Sequence, residues 1–381
     1  MSDESCDNNQ AFCDALFRVR RKSGTYKVVA APKLEVPVVD THAHVHYLKH
    51  PSLAFARAAA YGMPLLGLII DEVEDGNTPF AALDGWLREA EELLPQLLAN
   101  TAAATDPMGT AAAAAAAPVS ALACGGEGGE AAAYGAVSPV PSLPNVRLCV
   151  GVHPHNAKDW TPDVERALRR HLTCARVAAI GEIGLDYHYD LSPRAAQKSV
   201  FARQIQLAHE TGLPVALHVR EAHDDAFSIL EEQGWPKAGV LLHCFTSDWE
   251  TLAPWVDAGC YVAFGGALTF NSGEAIRDAA ARVPADRLLT ETDSPYMTPV
   301  PLRGVECEPA HVLFTAARLA EVRGCAPGTE RQALLEQLEL NARAFLDRPR
   351  TPWQETHAHD YVCARETLIK AVLPCAGEAD T

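Results

Sequence analysis

No uninterrupted apolar run in this chain reaches the ~18 residues that a membrane-spanning helix needs, although 48% of its residues are hydrophobic. That content is free to build a core. Ordered cysteine spacing is missing too. The eleven cysteines are scattered, odd in number and without a CxxC pair, which reads as mostly buried, reduced thiols in a cytoplasmic protein. The acidic, polar start MSDESCDNNQ carries neither a secretory core nor an Arg-rich transit pattern. Basic residues are in short supply: 32 Lys and Arg stand against 49 Asp and Glu, a formal charge of −17. Such a balance argues against a broad surface that neutralises the phosphates of a duplex. The cluster RVRRK at 18–22 reads as solvated surface, with a nuclear signal or a nucleic-acid contact as the alternative.

Three stretches do not belong to the barrel, whose unit spans 34–348 with an insertion inside it. Residues 1–33 form an N-terminal extension. Residues 101–145 hold a seven-alanine run, GGEGG and several prolines. This insertion lacks large apolar groups to bury and is expected to be disordered. The tail at 349–381 is polar and expected to attach loosely.

What remains alternates between two periods. Short apolar runs at 35–40, 64–70, 146–150, 177–181, 214–217, 239–242, 260–264 and 287–291 read as buried parallel strands. Segments of helical spacing separate most of them. The one at 194–211 places Val200, Ile205 and Leu207 at apolar positions and is stopped by Gly-Leu-Pro. Eight such βα units predict an α/β fold, a (β/α)8 TIM barrel. Periodicity alone also fits an open doubly wound sheet. The placement of polar residues favours closure.

Those polar residues sit at the C-terminal ends of the apolar runs: His42 and His44 in VVDTHAH, Glu182 in AAIGEIGLD, His218 in VALHVRE, His243 in VLLHCFT and Asp293 in LLTETDSP. In a barrel the loops after the strands converge on one face, where chemistry is housed. Strand ends 1, 4, 5, 6 and 8 meet there only if the sheet closes. His42 and His44 are two residues apart and point to the same side, so both reach one ion. Neutral imidazoles with carboxylates suit Zn, Mn or Fe, and with water also Mg. Glu182 has two oxygens and can span two ions, with His218 and His243 completing a second site. Asp293 can bind the first ion and accept a proton from the attacking water. The pattern points to a metallohydrolase with two divalent ions. His46, His50, His188 and His209 read as core or surface residues, and Cys244 as a small buried hydrophobe.

In order along the chain, DTHAH, GVHPH, GEIGLDYHYD, LHVRE, HCF and ETDSPY resemble the TatD family of metal-dependent deoxyribonucleases, a branch of the amidohydrolase-like barrels. The likeness covers about residues 35–347 apart from the insertion and includes the closing NARAFL. It implies a (β/α)8 barrel, a divalent-metal centre and hydrolysis of DNA, often from the 3′ end. It also implies that His42, His44, Glu182 and Asp293 hold one ion, while Glu182, His218 and His243 hold the other. His155 in GVHPH and Arg220 match positions near the substrate phosphate. Glu221 stands where the family commonly has Asp, Thr246-Ser247 replace Ser-Gly, and Cys307 replaces an asparagine. None of these removes a ligand; they bear on substrate preference.

Family likeness and acidic charge together predict a 3′-end-directed exonuclease that takes single-stranded or frayed DNA ends into a pocket, using Zn, Mg or Mn. The alternative is a small-molecule amide or ester hydrolase on the same barrel. Many dinuclear amidohydrolases bridge their ions with a carboxylated lysine, and Glu182 at that position leans against that branch. An inactive scaffold is disfavoured because every ligand type is present.

Overall fold

The computed structural model describes residues 12–105 and 141–358. The chain enters as an antiparallel hairpin, β1 (Phe17–Arg20) and β2 (Tyr26–Val29), with Phe17 opposite Val29. Phe17 is buried, stacks on Tyr61 at 4.9 Å and meets Phe314 edge-on at 5.1 Å. The N-terminal extension is thus packed on the barrel from its first described residues: Ala15 is buried, and Arg57 donates to the carbonyls of Phe12 and Asp14. Within the basic cluster, Arg18 donates to both Asp14 carboxylate oxygens at 2.6 Å, so its charge is matched inside the chain.

Eight parallel strands follow: β3 (Asp40–Ala43), β4 (Leu65–Asp71), β5 (Asn145–Gly151), β6 (Val177–Asp186), β7 (Val215–Arg220), β8 (Val240–Leu242), β9 (Tyr261–Phe264) and β10 (Leu288–Thr290). Each pairs with the next in chain order. Around them lie α1 (Pro51–Ala60), α2 (Thr78–Thr105), α3 (Pro162–Leu172), α4 (Arg194–Thr211), α5 (His223–Gln233), α6 (Trp249–Asp257), α7 (Glu274–Arg282), α8 (Val312–Val322) and α9 (Thr329–Leu346). The expected barrel is therefore present. Its helices begin and end on local chemistry. Thr161 accepts the Val164 N–H ahead of α3, Asp248 accepts that of Thr251 ahead of α6, and Gly212 in the left-handed region (φ 71°) ends α4.

Several boundaries differ from the sequence reading. β6 runs on to Asp186 and β7 to Arg220, so Glu182 and His218 lie within their strands rather than just past them. The first strand begins at Asp40 rather than 35. Val38 and Val39 are buried, but the preceding Pro37 has no N–H to offer a ladder. Residues 101–105 form the last turn of α2, where Thr101 Oγ1 accepts the Ala15 N–H at 2.8 Å. Residues 106–140 of the insertion lie outside the described residues, while at its end Leu143 packs against the core and Asn145 opens β5. The start of the tail is docked: residues 352–358 are helical, and Gln354, 1% exposed, donates to the carbonyls of Leu172 and Val177 at 2.9 and 3.0 Å. One glutamine thus ties this segment to β6 and α3.

Alternation along the strands divides the core in two. Leu66, Leu68 and Ile70 of β4 face the helices, while Leu65 and Ile69 face the barrel axis beside Ala178, Ala216 and Ala263. Small residues on the inner face leave room for Phe345 and Leu346 at the end of α9. Asn341 on the same helix donates to the carbonyls of Ala285 and Leu288, which fixes NARAFL as the plug of the barrel.

The seam between β3 and β10 is held differently from the other strand pairs. Thr41 Oγ1 donates to the Thr290 carbonyl and Thr290 Oγ1 to that of Val39, both at 3.1 Å. Beyond the strand ends, the Asp293 N–H reaches the His42 carbonyl at 2.9 Å and the His44 N–H that of Ser294 at 2.7 Å. Closure therefore lays the HxH segment against the ETDS segment.

Gly184 in β6 has φ 145°, and a Cβ there would run into the carbonyl of its strand partner His218. Gly184→Ala is expected to lower stability by on the order of 3 kcal/mol through backbone strain and overpacking. Urea unfolding measures this; an unchanged midpoint would show that the strands can move apart.

Candidate metal centre

Glu182, on β6, is buried (5% exposed) and has two sets of imidazoles around it. Its Oε2 lies 3.4 Å from His42 Nε2 and 3.7 Å from His44 Nε2. Its Oε1 lies 2.6 Å from His218 Nδ1, 2.7 Å from His243 Nε2 and 3.6 Å from His153 Nε2. Asp293 Oδ1 completes the first set, 3.6 Å from His44 Nε2 and 3.9 Å from His42 Nε2. The His42 and His243 rings stack at 3.8 Å. All six residues singled out in the sequence meet here, at the C-terminal mouth of the barrel.

The donor set fits divalent metal. Both ring nitrogens of His42 and Nδ1 of His243 are buried without a hydrogen-bond partner, and such groups are costly unless something satisfies them. Donor atoms of His42, Glu182 and His243 lie within 4.8 Å of one another, as do those of His42, His44 and Asp293. Electrostatics keep the anionic ligands charged. Burial alone would raise Glu182, but the imidazoles of His243, His153 and His42 hold it well below the usual glutamate range. Burial likewise opposes ionisation of Asp293, and the His44 hydrogen bond with nearby imidazoles outweighs it. Burial lowers His42 as well, and pushes His153 down to about 4, leaving both in the neutral, ligating form. Burial would also lower His44, His218 and His243, but the carboxylates of Glu182, Asp186, Asp293 and Glu291 reverse that and raise all three.

The TatD related DNase family model matches residues 105–347. This chain belongs to the TatD family. It is 46% identical over 182 residues to the uncharacterized metal-dependent hydrolase YcfH of Escherichia coli (strain K12), a match covering 48% of this chain and 68% of that protein. To the 3′-5′ ssDNA/RNA exonuclease TatD of Enterobacter lignolyticus it is 38% identical over 179 residues, 46% of this chain and 69% of that one. The crystal structure of YJJV, a TatD homolog from Escherichia coli K12, shares the fold with a TM-score of 0.59 at 22% identity, covering 82% of this chain and 98% of that one. The protein is thus a TatD-type, metal-dependent hydrolase on an eight-stranded parallel barrel, with a residue cluster suited to a dinuclear centre.

Around the TatD cluster stand residues that sequence reasoning passed over. His153 ends the run VRLCVGV, so the rule that selected the other ligands applies to it as well; His155 was chosen instead. His155 is turned toward Asp186, with Nε2 2.9 Å from Oδ2, and the same oxygen lies 3.0 Å from His218 Nε2. Glu291 and Asp40 are buried two residues before Asp293 and His42; Asp40 and His42 share β3 and so one side of it, whereas Glu291 and Asp293 follow the end of β10. Glu291 Oε1 accepts the Cys244 N–H at 2.5 Å and lies 3.6 Å from His243 Nδ1. Asp40 accepts from Thr292 N–H at 2.9 Å, Thr292 Oγ1 at 2.6 Å and His42 N–H at 3.2 Å. These carboxylates orient the ligands.

Arg220 is exposed at the rim, its guanidinium 4.8 Å from the Tyr189 ring centre. It lines a groove of about 710 Å³ with Glu221, Thr246 and Ser247. The histidines set aside in the sequence have other partners or places. His46 pairs with Asp75 at 3.1 Å, His188 with Glu221 at 2.7 Å, and His209 with the carbonyls of Gln233 and Gly234. His50 stands exposed ahead of α1. Burial pushes the Cys244 thiol well above the ordinary cysteine range, so it stays protonated.

Two outcomes follow from this geometry. Glu291→Gln is expected to weaken divalent-metal binding about 10- to 100-fold with the fold retained, because His243 loses the carboxylate that orients it. Calorimetric titration beside circular dichroism checks this. Because His44, His218 and His243 are raised when metal-free, metal must displace protons, so affinity is expected to rise with pH. Titration in two buffers of different ionisation enthalpy reads the released protons directly.

Proposed function

We propose that this TatD-type hydrolase cleaves phosphodiester bonds of nucleic-acid strands from their 3′ ends, with DNA as substrate and two divalent ions (Zn, Mg or Mn) held across Glu182. The observation that carries this reading is the division of labour on one carboxylate. Oε2 faces His42 and His44, and Oε1 faces His218 and His243. His42, His44, Glu182 and Asp293 would hold one ion; Glu182, His218 and His243 the other. When bound, two such cations activate water and stabilise the attacking and leaving oxygens of displacement at phosphorus.

The protein's own groups divide the remaining work. Asp293, ionised and with a side chain 16% exposed, accepts the proton of the attacking water. Arg220 at the rim holds a phosphate, and His155, whose Nε2 is held by Asp186, lies on the substrate side of the centre. The name of the Enterobacter lignolyticus relative supports 3′-to-5′ action on single strands. So does the charge of −17, which disfavours a duplex laid over a wide surface and favours a strand end entering a pocket. All seven described cysteines are free, in keeping with a reducing compartment, cytoplasm or nucleus. Among the described residues no helix is long and apolar enough to cross a membrane.

Glu182→Ala is expected to leave fewer than two tightly bound ions per chain, as read by metal analysis; retention of both would refute the bridge. Asp293→Asn keeps the shape and one oxygen but loses the base. Turnover should fall by about 10²–10⁴ while DNA still binds. Arg220→Ala should chiefly raise KM, since its phosphate contact contributes equally to ground and transition states. Single-turnover kinetics on end-labelled oligonucleotides separates the two effects. Near-wild-type turnover by Asp293→Asn would move the base elsewhere, with His155 next in line.

A further inference from the structure

Among the described residues, three aromatic rings are exposed: Tyr47 at 36%, Tyr189 at 54% and Tyr296 at 56%. All three stand at the mouth of the metal centre. Each is tied by its backbone N–H to a residue of the site. Tyr47 donates to the His44 carbonyl at 3.0 Å, Tyr296 to the Asp293 carbonyl at 2.9 Å, and Tyr189 to Asp186 Oδ1 at 2.8 Å. Ring contacts point the same way. Tyr47 lies parallel to His44 at 5.6 Å, Tyr296 is 6.4 Å from His44, and Tyr189 is 5.6 Å from His155. The Tyr47 hydroxyl also donates to Asp75 Oδ1 at 2.9 Å, which fixes the plane of that ring.

Half-exposed rings add little to a core, and leaving apolar faces in water is unfavourable. Their placement asks for a flat, partly apolar ligand next to a reactive phosphate. We propose that Tyr189 and Tyr296, with Tyr47, form a stacking rim that holds the unpaired bases of the terminal nucleotides while the metal centre takes the phosphate. This rests on the nuclease reading above. It also explains how a chain of charge −17 binds a polyanion: base–aromatic stacking is sequence-tolerant and requires no neutralised phosphate. Arg220 over the Tyr189 ring places one cation beside that platform. Bases within a duplex are already stacked on one another, so the rim selects single-stranded or frayed ends.

Binding is measured by fluorescence anisotropy with the metal-loaded protein and a single-stranded oligodeoxynucleotide whose 3′-terminal linkages are cleavage-resistant phosphorothioates. Tyr189→Ala and Tyr296→Ala should each weaken binding by about 5- to 20-fold. Tyr189→Phe and Tyr296→Phe keep the ring and should stay within about twofold of wild type. On a strand of equal length with abasic terminal residues, wild type and alanine variants should converge, because no base is left to stack. The rim is overturned if the alanine variants bind the normal strand like wild type, or if their loss persists in full on the abasic strand. Cleavage of an unmodified strand is followed in parallel. A wild-type protein that cleaves no DNA or RNA strand refutes the nuclease reading itself, whereas cleavage with unaltered binding in the alanine variants overturns the rim alone.

Discussion

Closure of the barrel at the β3–β10 seam is the constraint on which the rest of the structure depends. Thr41 and Thr290 are 249 residues apart, yet each hydroxyl donates to the other segment's backbone. The buried Asp40 carboxylate extends the seam by holding the Thr292 backbone and hydroxyl along with the His42 N–H. Without it, His42 and His44 would sit at one edge of an open sheet and Asp293 at the other. A single seam thus completes the fold and brings the side chains of His42, His44 and Asp293 together.

The second half depends on desolvation managed by opposite charges. Glu182 is surrounded by four histidines within 3.6 Å and a fifth at 3.7 Å. Burying a carboxylate in such a place is unfavourable unless cationic or hydrogen-bonding groups meet both oxygens, and here imidazoles meet both. Outer carboxylates repeat the logic one layer out, Glu291 behind His243 and Asp186 behind His218 and His155. His243 and His218 are therefore each met from two sides, which limits how far that half of the site can relax.

The mouth of the barrel differs in character from the centre below it. The ligand cluster suits displacement at phosphorus or at carbon, and nothing within it distinguishes a nucleotide from a small ester. The rim is aromatic at Tyr47, Tyr189 and Tyr296, with Arg220 placed against one of the rings. An acidic chain with such an entrance suits a ligand that is flat and anionic in alternation along its length, as a single nucleic-acid strand is.

Eight apolar runs, the helix at 194–211 and the six polar residues at strand ends were legible in sequence, because each is a local pattern of period, punctuation or residue type. The first strand was read about five residues early because apolar pattern reports burial, whereas Pro37 breaks the ladder. The docking of Gln354 was not legible, since its amide meets carbonyls more than 170 residues away. His153 was visible by the same rule as the other ligands, and Asp40 and Glu291 by i, i+2 spacing, but only proximity distinguishes a supporting carboxylate from a surface one. By itself the sequence determined the barrel, its reactive end and the chemistry of its donors, all of which depend on neighbours along the chain. Tertiary structure alone decided which oxygen of Glu182 faces which histidines and which tyrosines ring the mouth. Those are distances between strands, set by closure at the seam, and no local pattern encodes them.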